Sequence, residues 1–178
     1  MLEVVTFVLI LLLAGFYLSW TAGRIDQLHH RIEVARAALD AQLVRRSAVA
    51  MELGTCGLLD PAAAVLIVGA AHGARSCADV DREQAESDLS KALRAALDQP
   101  GQSAELRTGR GGEELLDELD AAAHRVVMAR RFHNDAVRAT RAVRRKRHVR
   151  YLRLAGHAAE PASFECDDEP PDCLARAL

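Results

Sequence analysis

Residues 4–53 read VVTFVLILLLAGFYLSWTAGRIDQLHHRIEVARAALDAQLVRRSAVAMEL, and the change of character inside that stretch decides the fold. From Val4 to Trp20 there is no charge, and Phe16, Tyr17 and Trp20 cluster at one end, where amphipathic rings settle at a bilayer interface. Beyond it, Leu28, Ile32, Ala35, Leu39, Gln42 or Leu43, Arg46, Val49 and Leu53 recur at alternating steps of three and four, the stripe of a bundle helix. The two patterns join without a break, which predicts one helix running out of a membrane span.

A cleaved signal peptide is the competing reading. It is disfavoured because Glu3, not Lys or Arg, precedes the apolar run and no small-x-small site follows cleanly. Arg24, Arg31 and Arg36 follow the span, while only the α-amino group and Glu3 precede it. That asymmetry predicts a single-pass protein of the cell membrane with its carboxyl side in the cytoplasm. The second apolar run, AAAVLIVGAA at 62–71, is too short for a hydrocarbon layer of about 30 Å and reads as core.

The composition agrees with helices. Among 178 residues there are 33 Ala and 24 Leu against seven aromatic residues and five Pro, a bias toward strong helix formers and away from sheet formers. Four Cys, at 56, 77, 166 and 173, are too sparse and irregular for a disulfide framework or a zinc ribbon. A formal net charge of −2 removes any whole-chain case for nucleic-acid binding.

Working outward, Gly54 and Gly57 end the first helix, and Asp60-Pro61 supplies an N-cap with proline at the first helical position. A second helix is expected from Pro61 to about Leu97, then a connecting loop over DQPGQSAELRTGRGG, 98–112, with four Gly and one Pro. The third helix begins at Glu113. Leu115 or Leu116, Leu119, Ala122 or Ala123, Val126, Ala129, Phe132, Ala136, Ala139 and Val143 lie on one face, and the helix is expected to continue toward Leu154. From Ala155 the chain turns toward the acidic, proline-bearing FECDDEPPD, expected to be extended or partly disordered. The predicted class is all-α: an anchor over 1–23, an antiparallel bundle of three long helices, or four if a kink splits one, over 24–157, and an acidic tail over 158–178. The stripe of the first helix could equally seal a homodimer.

Catalytic and ligand chemistry find little purchase. His133, Asn134 and Asp135 point about 100° apart on a helix and do not converge without neighbours, so structural roles are expected, with Asn134 a buried polar tie between helices. Asp120 and His124 sit one turn apart, but no Glu-x-x-His, His-x-x-x-His or Cys-x-x-Cys accompanies them. Gly109, Gly111 and Gly112 lack the Gly-Lys-Ser/Thr ending of a phosphate loop, and no Ser sits in a G-x-S-x-G frame. The expectation is a non-enzyme without metal or cofactor.

The strongest local signal is charge. From His124 to Arg153 there are eleven Arg or Lys against one acid, whereas Asp79 to Asp120 holds twelve acids against five bases. The basic helix suits three uses: packing against acidic partners in its own chain, attracting anionic lipid, or docking a protein or nucleic acid. At about 1.5 Å per residue, a first helix over 28–53 extends about 40 Å from the membrane, the second returns and the third leaves again. That path puts Arg144 to Arg150 at the distal end and Arg107 and Arg110 near the bilayer. The expected docking surface is therefore Arg138, Arg141, Arg144, Arg145, Lys146, Arg147 and Arg150, covered in part by Glu165, Asp167, Asp168 and Glu169. Its partner is an unknown protein; a binding module for nucleic acid or anionic lipid is the alternative.

The run Ala129-Arg130-Arg131-Phe132-His133-Asn134-Asp135-Ala136-Val137-Arg138, followed by Ala155-Gly156-His157 and then Phe164-Glu165, resembles the carboxyl-terminal pattern of the LemA family. Arg131, Phe132, Asn134, Asp135 and Val137 carry the motif, and an N-terminal span with Arg45-Arg46 on the first long helix fits the same order. The chain departs from the family where His133 stands for the usual Tyr, Thr140-Arg141 for a later Tyr-Asn, and Ser47-Ala48-Val49-Ala50 for a Pro-Asn-Leu-Val-like stretch. It therefore looks like a divergent branch. The resemblance implies a single-pass membrane protein with a helical bundle and no established enzymatic activity, and it carries no catalytic residues.

Overall fold

The computed structural model describes residues 1–147, 149 and 159–174, with the side chains of 14 and 22 left aside. The expected helix end near Leu154, the Ala155-Gly156-His157 part of the motif and Arg150 lie outside the described residues. The chain is all-helical, with no strand among the described residues. Its elements are α1 (Leu2–Thr55), α2 (Pro61–Ser76), a 3-10 turn (Asp79–Asp81), α3 (Arg82–Leu97), α4 (Gln102–Thr108) and α5 (Gly112–Arg144).

Two compact units divide these elements. One is built from residues 1–36 and 132–163. In it the apolar side chains of residues 2–13 are exposed, and α1 holds the one helix among the described residues long and apolar enough to span a membrane. Burial on α1 begins only at Leu18, which is half-covered, and Thr21, and continues through Ile25, Leu28 and Ile32. From α5, His133, Asn134, Ala136, Val137 and Thr140 are buried, again at steps of three and four. Because α1 leaves this unit at Arg36 and α5 enters it at Phe132, the two helices run through it in opposite directions.

The other unit comprises residues 37–131 and 164–178 and holds the main core. Val49, Ala50 and Leu53 of α1 meet Ile67 and Ala71 of α2, Leu89, Leu93 and Leu97 of α3, Leu106 of α4, Leu116 and Leu119 of α5, and Leu174. The Asp60 carboxylate accepts from the amides of Ala62 and Ala63, at 2.9 and 3.4 Å, and Pro61 opens α2, the cap the sequence predicts. Gly54 sits where a Cβ would come 2.6 Å from a methyl of Val68, so α1 and α2 approach closely there.

Two expectations change. The single helix over 61–97 is two helices, because Cys77 and Ala78 adopt extended backbone and the chain reverses through the 3-10 turn. α2 and α3 then pack side by side along a shallow groove lined by Val65, Leu66, Gly69 and Ala70 of α2 and by Asp88, Lys91, Ala92 and Ala95 of α3. The loop over 98–112 contains α4, entered through Gly101 at φ +88° and capped by Gly109, and Gly111 at φ +79° then leads into α5.

Candidate functional site

The basic stretch of α5 begins with Arg138, which pairs with Asp135 one turn back. The Nε of Arg141 donates to the Pro161 carbonyl at 2.9 Å and lies 3.5 Å from Glu160, and Arg144 donates to the Ala159 carbonyl at 2.7 Å. Past the end of the helix, Arg145, Lys146 and Arg147 are exposed. Six of the seven expected docking residues thus fall together in the unit that also contains the apolar run of α1.

That placement overturns the expected path. The basic stretch and the apolar run share one compact unit, whereas Arg107 and Arg110 belong to the other. The physical reason is the reversal at Cys77–Asp81, which adds one antiparallel crossing and brings α5 back along α1. Three of the four acids expected to cover the stretch are engaged elsewhere, and the fourth, Glu169, contributes its backbone carbonyl there. Asp167 forms an ion pair with Arg94, and Asp168 takes the Nε of Arg130 at 2.8 Å and its Nη2 at 3.0 Å. Glu165 lies 3.6 Å from Arg130, and the Glu169 carbonyl accepts from Arg94 at 2.6 Å.

Residues 164–174 are accordingly an ordered strap. Phe164 is 1% exposed and packs with Leu39, Leu43 and Val126. Along the strap, the Glu165 amide donates to Glu83, the Asp167 amide to the Ser87 hydroxyl at 3.0 Å, and the Ser90 hydroxyl to the Asp167 carbonyl at 2.6 Å. The hydrogen bonds from Arg94 hold Asp167 below the ordinary carboxylate range, and burial pushes the Cys166 thiol up to about 11.

The motif residues separate by face. Val137 and Asn134 are buried, in keeping with a structural role for Asn134, while Arg131, Phe132 and Asp135 are exposed. Phe132, expected on the apolar stripe, is 60% exposed. His124 and Asp120 do meet, Nδ1 to Oδ1 at 3.1 Å, but no group of three or more metal-ligating side chains gathers among the described residues.

One polar cluster escaped the sequence reading. Arg46 and Glu86, with side chains 3% and 1% exposed, pair at 2.7 Å; the same guanidinium donates to the Glu86 carbonyl and to Ser90, each at 3.0 Å. Burial raises the Glu86 pKa more than the charge of Arg46 lowers it. The available signal was Arg46 itself, a charge lying on the apolar stripe that required a buried partner.

No family model, no curated protein and no solved structure matches this chain.

Proposed function

We propose that the chain is a LemA-like single-pass membrane protein, anchored in the cell membrane through Val4 to Trp20 with its helical part on the cytoplasmic side. It serves as a docking element rather than a catalyst, and its basic surface, Arg138 to Arg147, receives an acidic partner.

The observation that carries the reading is the course of α1: its residues 2–13 expose apolar side chains throughout, and the same helix then enters a packed helical unit. So large an apolar face is costly in water and stable in lipid. Interfacial residues stand at the right end of it. Tyr17 and Trp20 have ring centroids 6.5 Å apart, and the guanidinium of Arg24 lies 6.0 Å from the Trp20 ring.

The test is alkaline carbonate extraction of membranes from cells making the full chain, followed by photo-crosslinking with a benzophenone amino acid in place of Arg145. Retention in the membrane with adducts to another molecule is expected. Release by carbonate overturns the anchor; links confined to residues 160–173 overturn the docking surface.

A further inference from the structure

The units differ in charge as sharply as in composition. Residues 1–36 and 132–163 carry eleven Lys and Arg against five Asp and Glu, while residues 37–131 and 164–178 carry twelve against twenty. The positive unit is the one with the apolar run, and one of its five acids, Glu3, precedes that run.

Within the positive unit, burial on α1 stops at Leu18 and Thr21, beside the Tyr17–Trp20 pair. Whatever covers α1 therefore ends at the headgroup end of the apolar run. Since α5 runs against α1 here, its residues after Thr140 lie toward that end. The paired acids of the stretch are accounted for by Arg138 with Asp135 and Arg141 with Glu160. Exposed Arg145, Lys146 and Arg147 follow with no acid among them. A basic cluster acts on a charged surface only within about one Debye length, roughly 8 Å at physiological salt, and the cluster belongs to the same compact unit as the apolar run.

We propose that Arg145, Lys146 and Arg147, together with Arg24, dock on the anionic phospholipid headgroups of the leaflet from which α1 emerges. The acidic partner of the docking surface is then the membrane itself. This deepens the function proposed above and rests on the apolar run being a span. Arg24 enters the headgroup layer beside Trp20, and the cluster at the end of α5 makes a second contact that fixes how the unit leans on the leaflet. Anionic headgroups fit because the guanidinium forks pair with phosphate oxygens and the surface potential of an anionic leaflet adds to each contact.

The chain contains two lysines, Lys91 and Lys146, which makes the test internal. Lys91 is exposed in the negative unit and serves as the reference. The full-length protein is placed in lipid discs of phosphatidylcholine alone, or of phosphatidylcholine partly replaced by phosphatidylglycerol, and acylated briefly with an amine-reactive ester. The Lys146 to Lys91 labelling ratio is expected to fall roughly fivefold or more on the anionic discs and to recover in molar salt, where the Debye length is about 3 Å.

A ratio that is the same on both discs, high or low, overturns the proposal, because the cluster is then open to solvent or covered by its own chain. Protection that appears on neutral discs only after adding duplex DNA overturns it in favour of nucleic acid. In each of these cases quenching of Trp20 fluorescence by brominated acyl chains still reports a span. Failure to enter the discs at all overturns the span and this proposal with it.

Discussion

At Arg46 a single substitution separates pairing from burial. Arg46→Ala leaves the Glu86 carboxylate buried without its counter-ion and is expected to cost about 3–5 kcal/mol in a denaturant titration of the solubilised chain. Glu86→Gln leaves the Arg46 guanidinium buried without its counter-ion, and because an arginine cannot shed its charge, it should cost a comparable amount. The pH dependence has a definite sign. A carboxyl whose folded pKa is raised binds its proton more tightly folded than unfolded, so its ionisation burdens the fold at neutral pH and the burden lifts as pH falls. Removing Arg46 raises that pKa further. The deficit of Arg46→Ala should therefore be largest near neutral pH and shrink as pH falls toward 4.5; a deficit that grows on acidification would contradict this account. Glycines give a second contrast. A Cβ on Gly112 would lie 1.9 Å from the Leu106 carbonyl oxygen, whereas Gly69, inside α2, has open space. Gly112→Ala should lower stability by about 1–3 kcal/mol, and Gly69→Ala should raise it by about 0.5–1 kcal/mol, both read as shifts in thermal midpoint.

Among the elements, the strap over 164–174 has the most to lose. Phe164→Ala opens the layer shared with Leu39, Leu43 and Val126 and is expected to cost about 3–5 kcal/mol. It should also speed modification of Cys166, whose thiol burial now holds protonated to about 11; an unchanged thiol reaction rate would show that Phe164 does not seal it. Acid should loosen the same strap. Asp167 has a lowered pKa, so its pairing with Arg94 stabilises the fold above the ordinary value of 3.8 and is lost as pH falls through the lower folded value, seen as faster amide exchange over 164–174. These elements were unequally legible beforehand. The helix-forming composition, the stripe of α1 and the Asp60-Pro61 cap are local signals, and each stands in the structure where the sequence puts it. The break at Cys77–Asp81 carries neither Gly nor Pro, so periodicity alone ran α2 into α3. The strap is extended, one of the two states expected of the tail, but its anchoring is not local: its acids answer to Arg94 and Arg130, more than thirty residues away. The break also displaces the basic stretch: without the extra reversal, α5 points away from the apolar run.

For the molecule as a whole, the proposed function makes the apolar run the feature that decides where the chain resides. Leu11→Asp combined with Leu12→Asp should move it from the carbonate-resistant to the soluble fraction, since each charge near the middle of a span costs about 2.5–3.5 kcal/mol on insertion. Persistence in the membrane fraction would mean that something other than α1 holds it there. The order of the chain adds a consequence in time. Leu39 and Leu43 are made early, yet Phe164, which closes over them, follows about 120 residues later. At about 5–20 residues per second of translation, that apolar layer stays open for roughly 6–25 s while the ribosome works. A nascent chain in that interval offers a hydrophobic slot to chaperones, and the layer closes only once Phe164 has emerged.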